Sequence, residues 1–359
     1  MKIMVVGDGH SDLHEKPVCN AFREIGHETT LFSWHQYFIA EGLGGRLKIP
    51  LYKAQNKYLL GPLIRQINSD LLARARAERP QLLFVYRGTH VYPETLHRIH
   101  DEFPDCNLVG YNNDDPFSPV YPRWMWRHFL GGVPLYDLVL AYRRHNLAEF
   151  RNVGARRVEL LRSWYVAERN FPQELSAAEF RRFAADVVFV GHYEPDSRLE
   201  CLEAVARAGW KLKVFGHDYG WHPVLRESPI LRRYMPVQTI WGGDYNKALC
   251  GARIALCFLS KQNRDTYTRR CFEIPASGTL MLAERTDDLM AMFREGEEAD
   301  FFASPEELTA KVAYYIRNPQ QRDRVAAAGR ARVVADGHDV VSRMRQVLKW
   351  TDEMNRERA

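Results

Sequence analysis

No apolar run in these 359 residues approaches the length of about 20 needed to cross a bilayer. The sequence therefore reads as soluble or peripheral, with no spanning segment. Charge of one sign is not in excess either: 50 Lys and Arg against 45 Asp and Glu leave a formal +5. That balance argues against a nucleic-acid partner. Cysteine is sparse, at 19, 106, 201, 250, 257 and 271, with no Cys-x-x-Cys spacing. Neither a disulfide framework nor a zinc site is indicated, and a reducing cytoplasm fits best. The start, Met1-Lys-Ile-Met-Val-Val-Gly7, lacks the longer apolar core and cleavage site of a signal peptide. Repeats, low-complexity segments and the full glycine fingerprint of dinucleotide-binding folds are missing as well.

What is present is an ordinary globular composition, 46% hydrophobic and 26% charged, over a length that suits two domains. Apolar runs alternate with helical periodicity. Strands are expected at 2–6, 27–33, 82–86, 107–111, 137–142 and 158–162, with helices at 16–26, 64–79, 93–103 and 146–153 between them. Such alternation predicts an α/β fold with parallel sheets and right-handed crossovers. Residues 163–173 read as a hinge. Further strands follow at 186–191, 211–216, 253–259, 279–283 and 300–302, and helices at 197–208, 287–293, 319–334 and 340–354. Ser304-Pro-Glu-Glu307 is a helix start, with a Ser cap, Pro in the first turn and Glu three on. The expected domains are thus two Rossmann-like units, 1–165 and 166–339, with 340–359 crossing back to the first. Residues 36–62, including Gly42-Leu-Gly-Gly45, show no pattern; they read as an unassigned loop, a candidate border for an acceptor.

The first domain carries polar residues where its strands should end. Gly7, Asp8, Gly9 and His10 follow the first strand, and Arg87 follows the third. Asn112-Asn113-Asp114-Asp115-Pro116 follows the fourth and has three readings: an acidic metal site, an acceptor-facing loop or a plain turn. Adjacent carboxylates point apart in an extended chain, which disfavours the metal. Asp114, Asp115 and His10 are candidate proton acceptors. Tyr121-Pro-Arg-Trp-Met-Trp-Arg127 mixes cations with large aromatics, as membrane interfaces and helix packing both do.

The chain is organised around Asn263-Arg-Asp-Thr-Tyr-Thr-Arg-Arg-Cys-Phe-Glu-Ile-Pro-Ala-Ser-Gly278, a polar loop and short helix between two buried strands. Thr268 is a candidate N-cap and Gly278 a candidate left-handed terminator, while Pro275 opposes a long helix. Arg270 and Glu273, three apart, share a helical face. A guanidinium suits phosphate and a carboxylate suits vicinal hydroxyls, together describing a nucleoside diphosphate; a surface ion pair is the plain alternative. Arg198, in the first turn of its helix, is misplaced for the dipole and reads as an anion ligand.

Arg270-Cys-Phe-Glu-Ile-Pro-Ala-Ser-Gly278, with Asp287-Asp-Leu289, Phe302-Ala-Ser-Pro-Glu-Glu-Leu308 and Ala327-Ala-Gly-Arg330, resembles the CgeB-like glycosyltransferases, a GT-B group akin to the retaining family-4 enzymes. The likeness extends more weakly to Phe189-Val-Gly191 with Arg198 and to Tyr111-Asn-Asn-Asp-Asp-Pro116. It implies two Rossmann-like domains facing across a cleft, and transfer from a nucleotide-sugar donor to a glycan, lipid-linked, protein or small-molecule acceptor. No cofactor and no essential metal are implied. By resemblance Glu273 holds the ribose and Asp265, eight positions earlier, adjoins the donor sugar, although it is shorter than the family's usual Glu. Gly191, Arg198, Phe215, Gly216, His217, Tyr245, Thr268, Arg269 and Arg270 complete the expected donor site. Gly7, Asp8, Gly9, His10, Arg87, Asn112 and Asn113 form the acceptor side. Other activities open to such a fold are epimerisation, phosphorolysis and nucleotide-sugar binding without turnover. Localisation is expected in the cytoplasm, with peripheral membrane contact open.

Overall fold

The structure, a computed structural model, describes residues 1–40 and 47–358, so Gly42-Leu-Gly-Gly45 lies outside the described residues. Strands β1 to β6 (Lys2–Gly7, Glu28–Ser33, Leu82–Tyr86, Asn107–Asn112, Leu138–Ala141 and Val158–Leu160) form one sheet, in the order β2-β1-β3-β4-β5-β6. Strands β7 to β11 (Ala185–Val190, Leu212–Phe215, Ala252–Cys257, Leu280–Glu284 and Asp300–Phe302) form the second, in the order β11-β10-β9-β7-β8. The pairings described are all parallel. Parallel strands buried on both faces require continuous apolar runs, which is why β3, β4, β5 and β10 are buried at each position. Each fully buried Val, Leu or Phe contributes about 1.5–3 kcal/mol. Two such α/β domains stand in one chain.

The chain divides into a first unit, Met1–Ser163 with Val340–Ala359, and a second, Trp164–Asp339. The closing helix Val340–Arg358 packs on the helix Glu15–Glu24 of the first unit. Arg157 reaches Glu353 at 2.9 Å and Asn107 reaches Asn355 at 3.0 Å. In both sheets the strand order reverses once, between β1 and β3 in the first and between β7 and β9 in the second. Such reversals open a crevice at the carboxyl ends of the strands, where the crossover helices diverge to opposite faces.

Most expected elements form within two residues of their expected ends. Residues 36–62 are corrected: they contain the end of a 3-10 turn, His35–Phe38, and the helix Ile49–Tyr58. Weak periodicity hid that helix, because apolar residues stand on both its packed and its exposed sides. Ser304 accepts from Glu307 N with Pro305 at the first helical position, as its sequence indicates.

Candidate functional site

β9 runs on through Phe258 and Leu259 into the loop 260–269, which the neighbouring strand ends hold in place. Lys261 N donates to Glu194 Oε2 at 3.0 Å, Leu259 N to Glu284 Oε2 at 2.7 Å, and Thr266 Oγ1 to Asp288 Oδ2 at 2.8 Å. Asp265 N donates to Ser260 O at 2.8 Å, placing Asp265 in this loop at the carboxyl edge of β9. The helix Arg270–Ala276 follows. Its N-cap is Arg269, with no side-chain cap bond, so Thr268 does not cap it. The far end matches its sequence: Gly278 has φ +78, its N–H meets Pro275 O at 2.9 Å, and Thr279 N meets Ile274 O. This six-to-one and five-to-two pair of bonds is a Schellman ending, which favours glycine. With only seven residues, the helix accommodates Pro275 in its last turn.

Glu273 is buried, and its carboxylate is held from two sides. Tyr245 Oη donates to Oε2 at 2.8 Å, and Arg269 Nε stands 3.2 Å from Oε1. The ion pair is therefore Arg269–Glu273, four apart, and not Arg270–Glu273. Burial first, and then the Glu273 carboxylate, push the Tyr245 phenol well above its usual range, so it stays protonated and donates. Tyr245, expected in the donor site, spends its hydroxyl on Glu273. Arg270 points its Nη2 toward Phe258 O at 3.4 Å, while its buried Nε has no hydrogen-bond partner. A guanidinium N–H in that condition suits an incoming oxyanion.

Arg198 is corrected. Its side chain is 1% exposed and grips Asp196 through Nε and Nη2, both at 2.7 Å, while Nη1 donates to His192 O at 2.7 Å. The guanidinium is a buried clamp at the β7/β9 crevice, and a phosphate has no open face to approach. Phe215 is also corrected, since it packs its ring on Phe183 inside the core. Gly191 and Gly216 act in packing: Gly191 N donates to Phe215 O, Trp221 Nε1 donates to Gly191 O, and a Cβ on Gly216 would stand 2.1 Å from Gly191 O. Their expected donor contacts through these backbone groups are not available. Half-buried His217 sits with the exposed Tyr219 (ring centroids 5.2 Å apart, stacked) and Trp241 (5.4 Å) at the end of β8. Trp241, not among the expected site residues, belongs to this group.

In the first unit, Arg87 (φ +65) pairs with Asp114 at 2.5 Å beneath the β1/β3 reversal. His10 is exposed and stacks on His35, centroids 4.4 Å apart; Asp8 lies 3.6 Å from His35 Nδ1. Gly7 leaves room for Glu15, whose Oε1 accepts from Asp8 N at 3.1 Å. Sequence reading missed Glu15 because nothing local signals a carboxylate folded back onto its own strand end. Asp115 is corrected as a proton acceptor: it is fully buried and accepts from Phe117 N and Asn146 Nδ2, each at 3.0 Å. Asn112 is buried and closes the turn through Asp114 N, rather than facing an acceptor. Asn113 gives its carbonyl to Arg143. Among the described residues, Asp115, His145 and Glu149 bring ligand-type atoms within 4.8 Å of one another. Asn146 Nδ2 donates to both Asp115 and Glu149, so an amide already bridges the two carboxylates.

A cavity of about 540 Å³, lined by Phe180, Asp186, Lys211, Cys250 and Arg253, opens at the amino edge of the second sheet, the edge away from Arg270 and Glu273. Arg270, Glu273 and the strand reversal coincide at the carboxyl edge of that sheet.

Residues 198–349 match the sequence model of the glycosyl transferase-like family. No curated protein matches the sequence. Among solved structures, HepE from Anabaena in complex with UDP-glucose is similar (14% identity, TM-score 0.64), covering 98% of this chain and all of its own. Sucrose-phosphate synthase from Thermosynechococcus elongatus has 12% identity and TM-score 0.67, over 99% of this chain and all of its own. The trehalose 6-phosphate synthase of Burkholderia multivorans has 12% identity and TM-score 0.63, over 99% of this chain and 97% of its own. At these identities the likeness carries the fold, and the fold is that of the GT-B glycosyltransferases.

Proposed function

We propose that this protein is a glycosyltransferase of the CgeB-like group, moving a sugar from a nucleoside-diphosphate donor to an acceptor hydroxyl. The observation that carries the reading is the carboxyl edge of β9, with Arg270 and its unpartnered Nε beside a buried Glu273 held by Tyr245 and Arg269. Glu273 takes the ribose hydroxyls and Arg270 the diphosphate. The exposed rings of Tyr219 and Trp241, with the half-buried His217 between them, offer a stacking surface for the base. HepE, similar in fold, is seen with UDP-glucose, which supports a donor of that class.

As the bond from the anomeric carbon to the diphosphate breaks, negative charge gathers on the leaving oxygen. A fixed guanidinium there favours the transition state over the bound substrate. This reading needs no essential metal. Asp265, on the loop before Glu273, faces the donor sugar, and transfer retains configuration. In the first unit Asp114 and His10 stand on the acceptor side.

The test is donor binding and turnover. A panel of nucleoside diphosphates should raise the melting temperature, because a ligand that binds only the folded state stabilises it. Arg270→Ala is expected to lower kcat/KM by about 100-fold, the scale of losing one transition-state charge contact. Unchanged affinity and turnover in folded Arg270→Ala and Glu273→Ala variants would remove the proposal. NMR of the new anomeric centre reports the stereochemistry.

A further inference from the structure

The helix Ile49–Tyr58 turns one side to the fold and leaves an apolar side bare. Asn56 Oδ1 meets His90 Nε2 at 2.8 Å and Ile49 and Tyr52 are half-buried, which fixes the inner face; Gln55, at the margin between the two faces, is buried. Leu51, Ala54 and Tyr58, at spacings of three and four, share the outer face, and Leu47 precedes them by one turn. All four are exposed, Leu47 at 86% and Leu51 at 59%. Lys48 lies on one flank of that stripe, and Lys53 and Lys57 on the other.

A second segment continues the surface. The Trp124 ring lies 5.5 Å from Tyr58, and Arg127 Nη2 donates to Tyr58 O and Leu59 O, both at 2.6 Å. His128 Nε2 adds a contact to Leu59 O at 3.1 Å. The helix end is thereby tied to Val120 and Arg123, which are also exposed. Across residues 47–69 and 116–128 there are six Lys and Arg and no Asp or Glu. From outside these segments, Glu94 is the acid that acts on Tyr92 together with Arg65 and Arg127.

We propose that this face docks on an anionic lipid surface. An apolar stripe flanked by lysines and bordered by a Tyr–Trp pair matches a helix lying in the headgroup plane. The apolar side chains enter the acyl boundary, and the long lysines reach back to lipid phosphates. Protein interfaces are depleted in Lys, whereas every cation on this helix is Lys, so lipid fits better than a protein partner. The contact with His90, just past β3, sets the surface beside the carboxyl edge of the first sheet.

Co-sedimentation of the full chain with vesicles is the test. Vesicles of phosphatidylcholine containing one part in three of phosphatidylglycerol should carry the protein down, while phosphatidylcholine alone should not. A Lys53→Gln, Lys57→Gln double variant should bind roughly 25-fold more weakly, at about fivefold per cation lost. Leu51→Ser should weaken the binding that persists in high salt. These side chains are exposed, so melting temperature and nucleoside-diphosphate binding should not change. Equal affinity for neutral and anionic vesicles, no affinity for either, or variants that bind as the parent does would each overturn the proposal. Capture of an acidic protein without vesicle binding would overturn it in favour of a protein partner.

Discussion

Glu273 is a carboxylate that the fold has bound before any ligand arrives. Its two donors, Tyr245 and Arg269, come from the helix ahead of β9 and from the residue capping its own helix. Removing the phenol in Tyr245→Phe strips a hydrogen bond from a buried charge, with an expected loss of about 1–3 kcal/mol of stability. If Glu273 holds the ribose, KM for the donor should rise more than kcat falls. Denaturant melts and donor kinetics check the two parts separately. Glu15 makes a different prediction. Burial, and then the nearby Asp8 charge, raise its carboxyl above the usual value near 4.5. The folded chain then holds a proton that the unfolded chain has released, so stability falls as pH rises from the unfolded value through the folded one. Glu15→Gln should therefore melt higher than the parent at neutral pH. The difference should vanish below the ordinary carboxylate range, as melting curves across pH would record.

The helix Arg270–Ala276 is only two turns long, and its stability comes from its ending and its burial rather than from its length. Gly278 supplies the left-handed residue, and a Cβ there would stand 3.1 Å from Pro172 Cγ. Gly278→Ala is expected to cost about 1–2 kcal/mol, from the left-handed backbone and the crowding together. Asn, which visits that region more readily, should restore part of the loss in the same denaturation assay. Gly216→Ala should be worse, because its Cβ would meet the backbone oxygen of Gly191, which no side-chain rotation can relieve. The adjoining ends of β7 and β8 would have to part.

At the scale of the molecule, the chain enters its second unit at 163/164 and leaves it at 339/340. Its final helix thus belongs to the unit that was built first. That helix buries Val340, Met344, Val347, Leu348 and Met354. Five such side chains, at about 1.5–3 kcal/mol each, match the whole stability of an ordinary domain. A chain ending at Asp339 should lose amide protection across Met1–Ser163 while Trp164–Asp339 keeps its own. Hydrogen exchange followed by mass spectrometry reads that difference directly.

The sequence alone determined the alternation of strands and helices, the parallel sheets, the Ser304 cap and the left-handed Gly278. Each rests on short-range chemistry, whether apolar periodicity, a hydroxyl near an amide or a residue without a Cβ. It also singled out Arg270 and Glu273, because residues three apart on a helix share a side wherever the helix lies. Tertiary structure decided the partners. Arg198 looked like an anion ligand until Asp196, two residues away but turned back on it, took two of its three guanidinium nitrogens. Asp115 and Phe215 read as site residues until burial withdrew them, and Tyr245 came to Glu273 from 28 positions away. Strand order brings such pairs together, and the order in which parallel strands assemble is not written in the spacing of any one segment.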